Sequence, residues 1–307
     1  MARHAIRVSG SIEQPHIQPW STVLRVPTDA GDKYFKASAK ALAFEPAVTQ
    51  ALYQWRSDCI PQLLAIDVER GWMLMADGGQ RVREAFGEGL DIHHWSEILA
   101  KYADLQITLA GHIDELLSFG VRDRRLEVLP ELYMEILADE DWFLIDQPNG
   151  ITASEYKRLI NGASEFAEMC QELATYEVPD SLHHNDLHDG NIFIENGRDL
   201  FFDWGDSSIS HPFFSMRTVS VSIENTFELE KDHPLIEEFG RGYLEHWTKF
   251  ETHENLHTAY NIAKRIWSIS TAVKYRTFLS QIEWARDDYS DALPSLMKEF
   301  LEANPSF

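Results

Sequence analysis

His183-His184-Asn185-Asp186-Leu187-His188-Asp189-Gly190-Asn191-Ile192-Phe193-Ile194-Glu195-Asn196-Gly197-Arg198-Asp199-Leu200-Phe201-Phe202-Asp203-Trp204-Gly205-Asp206 is the stretch that decides how this 307-residue chain is to be read. Asn196-Gly197 stands between two apolar runs, the strongest short-range signal for a tight hairpin turn. Counting outward, Asn191 lies five residues before Asn196 and Asp203 lies six residues after Gly197. Pairing the two runs about that turn brings Asn191 and Asp203 opposite each other, to within about one residue of register. The loop before Asn191 keeps Asp186 close by. Two carboxylates and a carboxamide thus converge at one end of a hairpin, the hard-oxygen arrangement that magnesium takes when phosphate oxygens and water complete its shell. Phosphoryl transfer asks the protein for metal ions to neutralise phosphate and for a base to orient the attacking hydroxyl. Asp186 suits the base, and Asn191 and Asp203 suit the metal.

Working outward from this stretch, the first 80 residues read mainly as strands. Ser21–Val26 and Lys33–Ala37 flank a turn at Asp29-Ala30-Gly31-Asp32, and Leu63–Val68 and Gly71–Ala76 form a second pair. Between them, Leu42–Trp55 carries apolar residues at helical spacing. Asp77-Gly78-Gly79 breaks the pattern and is the expected hinge. Beyond it the chain is mainly helical. Amphipathic patterns cover 95–119, which Gly120 ends, and roughly 129–145, 153–176, 215–230, 235–250, 256–281 and 292–303. Strands return only within 181–214. The expectation is an α+β chain with a small β-rich N-terminal lobe (residues 1–79) and a large, mainly helical C-terminal lobe (residues 80–307). There is no internal repeat and no low-complexity tract.

Composition narrows the function classes. The formal charge is −23, which opposes general nucleic-acid binding because that needs basic surface. Residues 1–79 hold eight basic and eight acidic side chains, so the 19 basic and 42 acidic ones that follow carry the whole imbalance. An acidic helical lobe serves solubility and also sets up a field that attracts a cationic substrate. No apolar run approaches the roughly 20 residues of a membrane span, and Met1–Arg7 does not read as a signal peptide. The two cysteines, Cys59 and Cys170, lack metal-type spacing and read as buried thiols, which fits a reducing cytoplasm. His183, His184 and His188 invite a zinc reading, but their spacing matches no zinc motif, and zinc would leave Asn191 and Asp203 idle.

The string His184-x-Asp186-x-x-x-x-Asn191 followed by Asp203 resembles the catalytic loop and metal-binding aspartate of the aminoglycoside phosphotransferase and choline kinase superfamily. It is similar to the corresponding pattern of protein kinases, so the resemblance implies a bilobal protein-kinase-like fold. It implies Asp186 as catalytic base, His184 as a brace for the loop, Asn191 and Asp203 as Mg2+ ligands, and ATP or GTP as phosphoryl donor. Lys36 resembles the lysine that contacts the α- and β-phosphates, with Lys33 a nearby competitor. Glu45 resembles the helix glutamate that pairs with it, although Pro46 places Glu45 at the helix start. Met75, Ala76 and Asp77 would form the linker whose backbone reads the nucleotide base. A glycine-rich phosphate loop is missing, its place taken by Gln14–Thr22, and no long activation segment follows Asp203. That favours a small acceptor over a protein.

The expected activity is therefore transfer of a γ-phosphoryl group to a hydroxyl of a small acceptor such as an aminosugar, an amino alcohol or another sugar, with the acidity modestly favouring a cationic one. The alternative is a catalytically weak nucleotide-binding regulatory protein. Partners would be the nucleotide and the acceptor, with no nucleic acid and no membrane, in a monomer or homodimer. Asp206 reads as a capping or solvated group, Asp123-Arg124-Arg125 as ion pairs tying helices, and Asp139-Glu140-Asp141 as a solvated face. Trp267 and Trp284 are candidates for lining an acceptor pocket.

Overall fold

The computed structural model describes residues 6–231, 233–282 and 288–307. Met1–Ala5, within the stretch read for a signal peptide, and the pocket candidate Trp284 lie outside the described residues. The chain forms two compact units: residues 1–94 with 118–121 and 186–206, and residues 95–117 with 122–185 and 207–307.

The first unit is built on a five-stranded sheet. Its strands are β1 (Glu13–Gln18), β2 (Ser21–Val26), β3 (Lys33–Ser38), β4 (Leu63–Asp67) and β5 (Trp72–Ala76). They lie in the order β1-β2-β3-β5-β4, with every neighbouring pair antiparallel. The sequence reading finds four of these strands. It misses β1, which takes the first part of the Gln14–Thr22 stretch and is almost wholly exposed, so no apolar alternation marks it. Helix α1 (Glu45–Trp55) crosses between β3 and β4, with Pro46 in its first turn where no backbone N–H is needed.

A second, smaller sheet completes the unit. The hairpin Ile192–Glu195/Arg198–Phe201 forms as read, with Asn196 (φ +52°) and Gly197 (φ +74°) both left-handed. Gln80–Arg81 adds a third strand against Ile192–Glu195, and helix α2 (Val82–Gly87) follows it directly. Asp77-Gly78-Gly79 belongs to this unit, with Gly78 buried and Asp77 and Gly79 exposed. A Cβ on Gly78 would lie 2.4 Å from the Phe193 ring, and one on Gly79 (φ +91°) would lie 2.3 Å from the Ile194 carbonyl oxygen. Backbone cannot retreat as a flexible side chain does, so Gly79→Ala should cost about 2–4 kcal/mol. Chemical denaturation with Gly87→Ala as control, whose Cβ would meet nothing within 4 Å, reads the difference. Equal midpoints for the two variants would contradict the close approach.

The second unit is helical around one long axis, His253–Gln281. It packs against Ala292–Ala303, Ala163–Leu173, Leu129–Leu137 and Pro234–Glu245. Two aromatic clusters lie in the core: Tyr133, Phe166 and Phe300, and Phe213, Tyr243, Trp247 and Tyr260. A small sheet of Arg122–Asp123, Ser208–Ser210 and Ser181–His183 lies in the same unit. Among the expected helices, 129–145 stops at Leu137 ahead of a 3-10 turn at Glu140–Trp142, and two more are broken. The 153–176 pattern divides at Gly162, where the Phe307 ring occupies the place of a Cβ. The 95–119 pattern divides into His94–Leu109 and Ile113–Ser118 around a 3-10 turn at Ala110–His112. Periodicity sees a continuous apolar face in both cases and cannot see the local break.

Several structural expectations settle within this unit. Arg125 forms a fork with Asp123 and reaches Glu127, so those pairs are local and do not tie helices together. Asp139 accepts from Trp142 Nε1 and from Arg276 while staying partly exposed, and Glu140 and Asp141 are exposed, as read. Trp267 is half-buried, edge-on to Tyr260. Cys170 is buried here and Cys59 in the first unit, and both are thiols. No helix among the described residues is long and apolar enough to cross a membrane.

Burial also fixes a pH response. His211 is 2% exposed, and burial pulls its pKa down to about 3. Its folded-state value is depressed, so its contribution to stability is fully present above the ordinary histidine range near 6.5. That contribution is lost as pH falls from there toward 3. His211 Nδ1 accepts the Phe213 N–H, a role an asparagine carbonyl reproduces. A His211→Asn variant should therefore show an acid-side loss of unfolding free energy shallower by about 1.4 kcal/mol per pH unit, one proton's worth. Urea titrations at pH 7, 6 and 5 measure it, and parallel slopes for the two proteins would be the contrary result.

Candidate active site

The geometry of the site begins with strand periodicity. Lys36 and Ser38 are two apart on β3 and share a face, whereas Lys33, three before Lys36, is out of phase with it. Lys33 accordingly turns to the preceding loop, where Nζ donates to the carbonyls of Ala30 and Asp32. Lys36 and Ser38 meet Glu45 at the first turn of α1. Lys36 Nζ donates to Glu45 Oε1 at 2.7 Å, and Ser38 Oγ to Oε2 at 2.8 Å. The start-of-helix position created by Pro46 does not keep Glu45 from its lysine. Lys36 Nζ also donates to Asp203 Oδ1 at 2.7 Å, which joins the five-stranded sheet to the hairpin segment.

Charges here are held in a dry setting. Glu45 is fully buried and Lys36 is 6% exposed. Burial opposes charge on Lys36, but the carboxylates of Asp203 and Glu45 together outweigh it and hold the ammonium above its ordinary range. Burial raises the Glu45 carboxyl; Lys36 opposes that, and the nearby Asp203 adds to it. The three groups form one unit in which a single cation is shared by two carboxylates.

The hairpin places the remaining groups. Phe201 pairs with Ile192, and the Phe202 N–H donates to the Asn191 carbonyl, so Asp203 lies one residue beyond the partner of Asn191. Asp203 itself is left-handed (φ +68°), as is Asn185 (φ +64°) immediately before Asp186. Such strain is held only where surrounding bonds over-determine it. In the second unit Asn185 is anchored by its side chain to Ser208 Oγ at 2.8 Å, and Lys274 Nζ donates to its carbonyl at 3.1 Å. His184 is fully buried, and its backbone N–H donates to the Tyr102 hydroxyl.

Asn191 Nδ2 donates both to the Asp186 carbonyl at 2.9 Å and to Asp186 Oδ2 at 3.1 Å. That network assigns the amide orientation and directs Asn191 Oδ1 away from Asp186. Oxygens of Asn191 and Asp203 are the donors that can hold magnesium. Among the described residues no three His, Cys, Asp or Glu side chains converge on one metal position. A cation here would therefore draw its remaining ligands from phosphate and water, as magnesium does.

Met75 and Ala76 are strand residues of β5, and the Ala76 N–H donates to the Gln62 carbonyl. Asp77 Oδ1 accepts the Gly79 N–H, closing the turn toward Gln80. Sequence reasoning missed Lys274, which lies 89 residues from the carbonyl it holds. It also missed Arg83, whose Nε donates to buried Asp189 at 2.7 Å. Neither lies in a recognisable motif, and only the folded chain brings them to the loop.

Comparison with known proteins shows the family and the fold. The model of the phosphotransferase enzyme family matches residues 33–253. No curated protein gives a significant match. Among solved structures, a choline/ethanolamine kinase family protein from Mesorhizobium loti is similar with a TM-score of 0.63 at 17% identity, covering 97% of this chain and 90% of its own. Plasmodium vivax ethanolamine kinase has a TM-score of 0.63 at 13% identity, with coverages of 99% and 85%. The GDP and kanamycin complex of APH(2″)-IIIa has a TM-score of 0.62 at 18% identity, with coverages of 96% and 93%. The chain belongs to the phosphotransferase enzyme family: it has a protein-kinase-like fold and transfers a phosphoryl group to an alcohol.

Proposed function

We propose that the protein transfers the γ-phosphoryl group of ATP or GTP to a hydroxyl of a small cationic molecule. The observation that carries the donor side is Lys36 Nζ at 2.7 Å from both Glu45 and Asp203. A fixed cation beside a magnesium-competent carboxylate is what a nucleotide polyphosphate requires. Lys36 would contact the phosphates, Glu45 would hold it in place, and the Met75–Asp77 backbone would lie along the base. Magnesium, held by Asn191 and Asp203, would neutralise phosphate oxygens when bound. Asp186 accepts the proton of the acceptor hydroxyl, and His184 braces the loop that carries it. Nucleotide binding would rest on the segment 1–79 and acceptor binding on the helical portion of 80–307.

The acidity confined to the sequence after Gly79 supports a cationic acceptor. So does the chemistry of the compounds named with the similar structures: choline, ethanolamine and kanamycin are all hydroxyl-bearing cations. Magnesium-dependent nucleotide consumption across a panel of amino alcohols, aminosugars and neutral sugars is the test. At least one amine should stimulate turnover, and its KM should rise severalfold between 0.05 and 0.5 M salt as screening shortens the reach of the field. Nucleotide binding with no acceptor-stimulated turnover would favour the regulatory alternative. A salt-independent KM would remove the steering argument.

A further inference from the structure

His188 lies two residues after Asp186 and has no part in the chemistry described so far. Its ring is held from one side by two donors. Nδ1 accepts the Gly190 N–H at 2.9 Å and faces Arg83 Nη2 at 3.2 Å. Arg83 comes from α2 and is itself fixed by its Nε bond to Asp189 Oδ1 at 2.7 Å, where Asp189 is fully buried. A proton on Nδ1 would point at two other N–H groups, so the ring carries its proton on Nε2. Nε2 stands 3.5 Å from Asp186 Oδ2, the same oxygen that accepts from Asn191 Nδ2 at 3.1 Å. Gly190 makes room for this arrangement. A Cβ there would lie 2.8 and 2.9 Å from two atoms of the His188 ring and 3.2 Å from the Arg83 guanidinium carbon.

We infer that His188 is a positioning residue for Asp186, with Arg83 and the Gly190 amide clamping its ring so that Nε2–H faces the Asp186 carboxylate. The Asn191 bond to one oxygen, with His188 Nε2 facing the same oxygen at 3.5 Å, orients the carboxylate and sets its other edge toward the acceptor hydroxyl. The inference rests on the reading of Asp186 as the base. A misplaced base costs rate far more than it costs binding. The role is one of orientation: no bond to His188 forms or breaks.

Two readouts test it. In 15N-histidine spectra near neutral pH, the His188 ring should show the Nε2–H tautomer with Nδ1 as acceptor, and Arg83→Ala should weaken that signature. A dominant Nδ1–H form overturns the clamp. The kinetic readout compares two substitutions. His188→Asn keeps an acceptor for the Gly190 N–H but reaches no further, whereas His188→Gln places an amide N–H at the distance of Nε2. His188→Asn should lower kcat by about tenfold or more with nucleotide KM within about twofold, and His188→Gln should recover most of the loss. Equal losses in both, or a His188→Asn kcat within twofold of wild type, overturn the positioning role. The tautomer is read without turnover. A wild-type protein inactive toward every acceptor therefore defeats the proposed function, while the ring nitrogens still decide the clamp.

Discussion

Asp186→Asn should lower phosphoryl transfer by about a thousandfold while nucleotide affinity stays within about twofold. The substitution keeps the volume and the backbone carbonyl that Asn191 Nδ2 holds at 2.9 Å, so the loop retains its main internal bond. What disappears is the carboxylate proposed to take the proton from the acceptor hydroxyl. A positioned general base contributes roughly 10²–10⁴ in rate, and an amide has no basicity near neutral pH to replace it. Nucleotide affinity should survive because Lys36, proposed to contact the phosphates, bonds both Glu45 and the proposed magnesium ligand Asp203 without Asp186. Single-turnover assays with the best acceptor from the panel, beside nucleotide titration in magnesium, separate the two quantities. Transfer by this variant within tenfold of wild type would remove Asp186 from the role of base. A parallel collapse of nucleotide affinity would give it a metal-binding role instead.

Most of this site was legible before any coordinates because its logic is local. Asn196-Gly197 sets a two-residue turn, the turn sets the register, and the register puts Asp203 one step beyond the partner of Asn191. The alternation of β3 likewise distinguishes Lys36 from Lys33 once its strand is recognised. What was not legible depends on contacts distant in sequence. Lys274 reaches Asn185 across 89 residues, and Arg83 reaches Asp189 across 106. Both sit on helices where a charged residue ordinarily reads as solvated surface. The association of residues 186–206 with the N-terminal sheet is likewise a matter of long-range pairing. It is made by Gln80–Arg81 alongside Phe193–Ile194 and by the Phe201 N–H donating to the Cys59 carbonyl. An exposed edge strand such as β1 gives no burial signal at all, and the breaks at Ala110–His112 and Gly162 interrupt helices without interrupting their apolar face.

Lys36 is where stability and function are most easily confused, and substitution of it separates them. Lys36→Met leaves Glu45 fully buried with its carboxylate no longer paired to a cation, and leaves Asp203 without its ammonium neighbour. Breaking a buried pair by removing one partner typically costs about 3–5 kcal/mol, because the remaining charge stays out of water. The single variant should therefore unfold at markedly lower denaturant, and transfer measured on its folded fraction should fall by about a hundredfold or more. Adding Glu45→Gln removes the stranded charge, and the amide can still hydrogen-bond Ser38 Oγ, which lies 2.8 Å from Oε2 in the wild type. Lys36→Met/Glu45→Gln should accordingly recover most of the lost stability, giving a coupling energy of a few kcal/mol in the double-mutant cycle. It should recover none of the transfer, since the cation proposed to face the phosphates is still gone. If the double variant regained both, Lys36 would serve the fold alone and the phosphate-binding role would pass to another residue. If the single variant were as stable as wild type, Glu45 would be neutral in the folded protein, and the shared cation would belong to Asp203.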